Sequence, residues 1–593
     1  MLHLPSLSPL VWRMSSLKSV SASLTLILGI ALVPTNAIAQ PLFVAQQIRP
    51  QDTTPDFDSD SFPEADVSPL PAIEELLQSP EPSSAPELGN ESELQVMVNR
   101  VEFVGNTIFS DEELAEVIPE GIIGNLVTIN RLYEIRSAVA QKYLDADYAS
   151  SGAFLPEQPI QDGVITIQVV EGSLTTINIR GNEKLKDSYI ANRIRRDIET
   201  PLNVDDLLDT LRRLQLDPRI ATLSAELSGG VALGESILTV DVTEGDDFDV
   251  VLGLDNSRSP SVGSFRQSVD LDLLNVNGYG ETFNLSLART TGSTSLDGSI
   301  TTFLDADNST IQLRGGISSS EIIEEPFETL NLESEAFFTE LAYRKPLVQT
   351  LTEELAVGVS LGHQQTRSVF DLADALGGPI PLTSFGANEE GEVRVSTLRF
   401  FQEWSKRRSR DVFAARSQFS VGLDALSSTV NNDGRPDSRF VSWRGQAQWA
   451  HLLAQDTLLL VKTDVQFADD DLLSLEQFGL GGQSTIRGYR QDILLTDNGF
   501  LASAEARFPI VKARKVDGVL HVIPFLDIGK GWNIGDDDPS PSALVGTGLA
   551  LQWQQDDLTA RIDIGLPLVD VDTRDDNSLQ EMGIYMSLEW AAF

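Results

Sequence analysis

Leu355-Ala-Val-Gly-Val-Ser-Leu-Gly362 alternates a bulky apolar side chain with a small or hydroxylated one. A strand sends successive side chains to opposite faces, so this stretch reads as a strand with one apolar and one small face. The rhythm continues in both directions. Phe283, Leu285 and Leu287 share one parity; Val269, Leu271 and Leu273 alternate with Ser268, Asp270 and Asp272; and Phe248, Val250, Leu252 and Leu254 open the series. At the far end, Ile584, Met586, Leu588 and Trp590 repeat it. Sixteen segments follow this pattern, near 248–256, 265–274, 281–290, 295–304, 309–320, 334–344, 353–364, 394–403, 412–424, 438–450, 457–467, 499–510, 517–528, 543–554, 557–567 and 581–590. A soluble sandwich would hide the apolar faces between sheets, whereas a membrane barrel turns them to lipid and keeps polar residues inside. The reading is a 16-stranded antiparallel transmembrane β-barrel over 248–593. An even strand count returns both barrel ends to one side of the membrane, the side of the N-terminal region. Tight turns at 275–280 and 305–308 alternate with long loops at 366–393 and 468–498, which parity places on the opposite side. The basic stretch Trp404 to Arg410, and Lys512, Arg514 and Lys515, read as solvated turns on the N-terminal side.

Ahead of the barrel lies a tandem repeat. Val101-Glu-Phe-Val-Gly-Asn106 returns as Ile177-Asn-Ile-Arg-Gly-Asn182, and Val170-Glu171-Gly172 returns as Thr243-Glu244-Gly245. Two copies at a nearly fixed period mean two copies of one supersecondary unit. Each reads strand, helix, helix, strand, strand, giving modules at 95–172 and 173–247. In the first, Ser110 and Glu113 form a capping box for a helix near 112–117. A second helix near 130–144 carries Leu132, Ile135, Val139 and Tyr143 on one stripe, and strands are expected at 98–104, 152–155 and 163–170. The second copy supplies helices near 187–196 and 203–216 and strands near 222–227 and 236–242. A sheet covered by helices on one face leaves an edge strand to which an extended polypeptide can add.

The N-terminus reads as a secretory signal peptide over 1–39: Arg13 and Lys18, an apolar run from Leu24 to Val33, and a small-residue cleavage site at Ala37 and Ala39. The apolar run is about half the ~20 residues a spanning helix needs. Residues 40–94 are rich in Pro, Ser and Asp, a composition that buries too little apolar surface to offset chain entropy, so they read as a tether. Within it, Pro71 to Gln78 places Ile73, Leu76 and Leu77 on one helical face; it reads as a short helix, either a plug or a transient turn of the tether. The chain of 593 residues carries 43 Lys plus Arg, 88 Asp plus Glu, four His and no Cys, a formal charge of −45. That balance disfavours phosphate backbones. Without Cys there are no disulfides, thiolate metal sites or thiol nucleophiles. No nucleophile, base and orienter stand together, so an enzyme is not expected.

Tandem β-α-α-β-β units of this size resemble POTRA domains, periplasmic polypeptide-transport modules. Tyr148-Ala-Ser-Ser-Gly152-Ala-Phe-Leu-Pro156-Glu-Gln158, followed by Asp162-Gly163-Val-Ile-Thr-Ile-Gln-Val-Val-Glu-Gly172, resembles the signature of two-partner secretion transporters, the exporters of haemolysins and filamentous adhesins; Gly152, Pro156, Gln158, Gly163 and Gly172 carry the likeness. Gly479-Leu-Gly-Gly482-Gln-Ser-Thr-Ile486-Arg487-Gly488-Tyr489-Arg490 resembles the tip of the loop that folds back into the barrel in this superfamily. Phe525-Leu526-Asp527-Ile-Gly529 resembles its inner-wall motif. In that family the tip Arg pairs with the wall Asp, which maps onto Arg487 and Asp527 and makes Gly488, Tyr489 and Phe525 the rest of the lock. Glu505 and Arg507 resemble another wall strand and are candidates to extend the polar network, and Phe593 resembles the terminal aromatic used as an insertion signal. Its parity is offset from that of the last strand, which calls for a bulge or a frayed end.

The resemblance implies a mixed fold, two periplasmic α/β POTRA modules and then the barrel, in the outer membrane of a diderm bacterium. It implies as partners a secreted exoprotein of the adhesin or haemolysin type, outer-membrane lipid and the barrel-assembly machinery, with no cofactor, nucleotide or nucleic acid. The alternatives are an assembly factor of the same superfamily and, in another class, a passive porin or adhesin scaffold.

Overall fold

The computed structural model describes residues 77–78 and 95–592, apart from 326, 372–378, 384–385, 455, 514, 517, 536–537 and 572–577. The signal peptide with Ala37 and Ala39, most of the tether, Arg514 and the terminal Phe593 lie outside the described residues.

The expected helix at Pro71 to Gln78 is corrected where it is described. Leu77–Gln78 is a strand, β1, and its earlier residues lie outside the described set. Helix nucleation fixes several residues for one hydrogen bond, so an eight-residue stretch gains little as a helix. An open sheet edge offers ladder bonds at once.

In the first module β2 (Gln95–Val98) and β3 (Arg100–Val104) replace the single strand expected over 98–104. The break falls at Asn99, whose N–H donates to Gly163 O at 2.7 Å instead of continuing a ladder. Then come α1 (Asp111–Ala115), β4 (Asn125–Thr128), α2 (Ile129–Leu144), β5 (Gly152–Phe154) and β6 (Val164–Val170). Ser110 and Glu113 form the capping box on α1. The apolar stripe of α2, Leu132, Ile135, Val139 and Tyr143, packs on Ile165, Ile167 and Val169 of β6. β3 runs parallel and β5 antiparallel to β6, while β2 and β4 pair separately.

The second module repeats the plan with β7 (Ser173–Arg180), α3 (Asp187–Asp197), α4 (Val204–Gln215), β8 (Ile220–Gly229) and β9 (Glu235–Glu244). Its sheet has the order β1-β8-β9-β7, so the tether strand β1 covers the β8 edge, parallel to Ala225 and Glu226. The sequence repeat has a structural cause. Asn106 Nδ2 donates to Phe109 O and Asp111 Oδ1, and Asn182 Nδ2 donates to Leu185 O and Asp187 Oδ1, so each Asn shapes the bend before the first helix. The Glu of each repeat accepts the backbone N–H groups of that same bend: Glu171 from Thr107 and Ile108, Glu244 from Glu183, Lys184 and Leu185.

The barrel wall comprises β10 (Phe248–Asp255), β11 (Arg266–Leu274), β12 (Thr282–Arg289), β13 (Ser293–Phe303), β14 (Thr310–Glu321), β15 (Leu332–Gln349) and β16 (Glu353–Phe370). A short β17 (Ile380–Pro381) pairs with the outer end of β16. The wall continues with β18 (Glu392–Arg407), β19 (Asp411–Leu423), β20 (Val441–Ala454) and β21 (Thr457–Ala468). After β22 (Phe478–Leu480) and β23 (Leu494–Thr496), which pair within the loop that follows, it resumes with β24 (Asn498–Ala513), β25 (Gly518–Trp532), β26 (Ala543–Gln555), β27 (Leu558–Pro567) and β28 (Ile584–Ala591). Each of the sixteen expected segments falls on one wall strand. Every wall strand is antiparallel to its neighbours, and β28 closes on β10 over five positions. The sequence underestimates β15 and β16, which run 18 residues each, because ladder bonds continue past the apolar band, where the alternation fades. By contrast β10, β12 and β28 have 8 residues. Trp404 to Arg410, expected as a turn, is strand as far as Arg407; Trp404 and Lys406 reach across the ladder to Glu353. Outward Leu252, Val269 and Leu287 are exposed, as a lipid-facing surface requires. Among the inward residues, Ser286 donates to Asp270.

The second module is fastened to the turns at the near end of the barrel. On α3, Arg193 lies 3.5 Å over the Tyr189 ring and 4.9 Å over the Phe303 ring, and its Nε donates to Asn308 Oδ1. Arg196 pairs with Asp307, Arg213 donates to Gln349 O, and Arg219 donates to Thr282 Oγ1.

Candidate functional site, a loop sealed into the lumen

The connection between β21 and β24 is long enough to turn back into the bore, and its composition favours that course. Phe478, Leu480, Ile486, Tyr489, Ile493 and Leu494 form an apolar cluster with wall residues Leu501 and Leu544. The tip needs glycine on both sides of the contact. Gly488 has φ +104°, and a Cβ there would stand 2.9 Å from Pro567 N. Opposite it, a Cβ on Gly546 of β26 would meet Arg487 O at 1.9 Å. Tip and wall thus meet backbone to backbone.

Arg487 is 4 % exposed and sits among carboxylates. Its Nε and Nη2 donate to the two oxygens of Asp527, at 2.8 Å each, the parallel fork that a planar guanidinium matches best. Its backbone N–H also donates to Asp527, at 3.1 Å, and Ser503 Oγ donates to the same carboxylate. Nη1 turns to Glu505 at 2.9 Å and Asp563 at 3.3 Å. The guanidinium lies 3.6 Å over the ring of Phe525. Arg561 bridges Glu505 and Asp563 from the other side, and Arg507 donates to Glu505 at 3.0 Å. Three Asp or Glu side chains therefore meet three Arg side chains, and the buried cluster is charge-balanced. Tyr489 is buried with its hydroxyl between the backbones of Val545 and Val569, and the Tyr585 hydroxyl accepts from Gly488 N at 3.0 Å.

The structure thus brings Arg487, Gly488, Tyr489, Phe525, Asp527, Glu505 and Arg507 to one place. Asp563, Arg561, Ser503 and Tyr585 were missed from sequence. Their signal is only that polar side chains take the inward parity of β24, β27 and β28, a weak sign in a wall that is polar inside throughout. The signature residues of the first module are set apart from the lock and shape a frame. The Gln158 side chain accepts from Thr166 N and donates to Thr166 O, both at 2.8 Å, so it pairs with β6 as a strand would. Gly152 opens β5 and Pro156 follows it. Gly163 has φ +72°, and a Cβ on Gly172 would stand 2.1 Å from Ser150 Oγ.

The arrangement holds the tip of the loop against the wall. Arg cannot lose its proton in a protein, so the cation of the cluster persists whatever the pH. Removing one partner of such a buried pair costs about 3–5 kcal/mol. Among the described residues no helix is long and apolar enough to cross a membrane.

Comparison with known proteins agrees with this architecture. The model for the haemolysin secretion/activation protein family ShlB/FhaC/HecB matches residues 234–553, more than half of the chain, and the ShlB-type POTRA domain matches residues 96–172. The heme/hemopexin transporter protein HuxB of Haemophilus influenzae is 22% identical over 421 residues, 66% of this chain and 68% of that protein. The outer membrane transporter CdiB of Escherichia coli is 23% identical over 479 residues, 75% of each. Among solved structures, CdiB from Escherichia coli aligns over 95% of this chain and all of its own, with a TM-score of 0.62 at 19% identity. CdiB from Acinetobacter baumannii gives 0.56 at 15% identity, over 95% of this chain and all of its own. A closed sixteen-stranded barrel behind a POTRA domain, with these matches, makes the chain a member of the ShlB/FhaC/HecB family, the outer-membrane transporters of two-partner secretion.

Proposed function

We propose that the two α/β modules capture an unfolded secreted partner in the periplasm and that the barrel passes it to the cell surface when the lumen loop releases its lock. The observation that carries this reading is the Arg487 cluster. A loop of the chain itself is seated on the inner wall, held by hydrogen-bonded charges beside an apolar cluster and by no covalent bond. A partner entering such a bore can replace the loop's contacts one at a time. The β8 edge adds support for capture by strand addition, since it already holds an extended segment of the tether. In this reading residues 1–39 are removed after Ala39, residues 40–94 are the tether, 95–172 and 173–247 are the two modules and 248–593 the barrel. Phe593 serves insertion by the barrel-assembly machinery, and the outward apolar face meets outer-membrane lipid.

Deleting residues 95–247 tests the proposal. Export of one secreted partner stops while other outer-membrane proteins keep their levels. A general loss of outer-membrane proteins would instead assign the chain to barrel assembly, and unchanged export would leave the modules without a role in capture.

A further inference from the structure

The Arg487 cluster is not the only charged anchor of the lumen loop. Three residues on, Arg490 is 6 % exposed, and its fork takes both oxygens of Glu324, Nη1 to Oε1 at 2.5 Å and Nη2 to Oε2 at 2.7 Å. The same Nη1 lies 3.4 Å from Glu581 Oε1. Neither carboxylate belongs to the wall. Glu324 stands in the outer connection between β14 and β15, and Glu581 in the outer connection that leads into β28. The next residue adds a third tie. Gln491 N donates to Gln580 Oε1 at 2.9 Å, and Gln580 Nε2 donates to Asn256 O and to Arg258 O at 2.7 Å, in the connection after β10. Two adjacent residues of the loop therefore hold three outer connections.

The charges show why Arg490 and not its neighbours is decisive. Glu581 is buried, with its other oxygen accepting from Ser578 N at 2.9 Å, so its carboxylate is fixed in place by its own turn. Glu324 reaches the same guanidinium from the opposite connection. Without the cation, two carboxylates would face each other across a small gap, and like charges in a poorly hydrated site repel strongly. The outer connections would part. Arg487 would still be seated on Asp527, because among the described residues the two clusters share no side chain.

We propose that Arg490 is a second lock on the lumen loop, placed at the outer mouth and separable from the Arg487 lock, and that with Gln491 it ties Glu324, the turn at 578–581 and, through Gln580, residues 256–258 into a single cap moving with the loop. This rests on the reading of the barrel as a conduit. Arg490 is a positioning residue: it holds the mouth shut until the loop leaves.

The test uses the full-length protein in planar bilayers, with heat-modifiable migration on gels as the control for a folded barrel. Arg490→Gln removes the charge at similar size and raises time-averaged conductance by roughly tenfold, the scale of a coupling between contacting residues. Arg490→Lys, which keeps a cation between the carboxylates, stays near the parent; a role in packing alone would treat Lys and Gln alike. Glu324→Gln raises conductance less, and combining it with Arg490→Gln lowers conductance below that of Arg490→Gln alone, because one of the two facing carboxylates is then neutral. Parental conductance in a folded Arg490→Gln barrel, equal effects of Gln and Lys, or full additivity of the two changes would each overturn the proposal. Export of the secreted partner is measured in parallel. If conductance follows the expected pattern while the parent exports nothing, the transport reading fails and the second lock stands.

Discussion

Arg487 presents five N–H donors in one plane, and the wall meets them with Asp527, Glu505, Asp563 and Ser503. Geometry at this residue decides more than charge. Arg487→Lys keeps the cation but cannot form the fork on Asp527, so it should loosen the seated loop by less than Arg487→Ala, whose cost is about 3–5 kcal/mol, reduced where water enters the bore. Protease sensitivity of the loop in intact outer membranes orders the three proteins as parent, Lys, Ala, with export falling in the same order. Gly488→Ala should unseat the tip by another route, since both the positive φ and the space beside Pro567 exclude a side chain; loop cleavage rises while every charged partner remains. Arg487, Gly488 and Asp527 were legible because their motifs are short and contiguous. Asp563 was not, since it stands 76 residues from Arg487 within Arg561-Ile562-Asp563-Ile564, whose alternation looks like that of any wall strand.

At the scale of elements, the bend before the first helix of each module is held by one Glu at the end of that module's last strand. Burial tends to raise the pKa of Glu171, but hydrogen bonds from Thr107, Ile108 and Tyr143 together outweigh it and hold the carboxyl below its ordinary value of 4.5. A lowered pKa in the folded state means that the unfolded chain binds the proton more readily. The stabilisation is therefore complete above pH 4.5 and is lost as pH falls through the lower folded value. Hydrogen exchange over residues 95–172 should accelerate across that acid window in the parent. Glu171→Gln should exchange faster already at neutral pH, by the loss of about 1.5–3 kcal/mol for hydrogen bonds to a charged group, at the low end for a site partly open to water. The repeat of Gly-Asn and Glu-Gly was visible in the sequence, and the contacts explain it. The end of the expected tether helix, Leu77–Gln78, was misjudged because periodicity within eight residues says nothing about an unpaired edge elsewhere in the chain. That edge, at β8, is supplied only by tertiary structure.

For the whole molecule, the sixteen strands were legible because lipid outside and water inside impose opposite demands at every second residue. The attachment of the second module to the barrel was not. It depends on Arg193, Arg196, Arg213 and Arg219, which look in sequence like ordinary exposed helix and loop charges. Arg193→Ala removes a stacked, largely buried cation worth up to about 2 kcal/mol. It should broaden the module-to-barrel distance distribution between spin labels on introduced cysteines, a clean experiment in a chain with none of its own. The wall also has an uneven height. At about 3.3 Å per residue and a tilt near 40°, the 8 residues of β10 or β28 reach roughly 20 Å along the membrane normal, against roughly 45 Å for the 18 of β15 or β16. The hydrocarbon layer is about 30 Å thick. In the proposed outer-membrane setting, lipid tails beside the first and last strands would have to shorten or splay to stay matched to the wall, which would compress the annulus on one flank, the flank from which Tyr585 holds the tip of the loop.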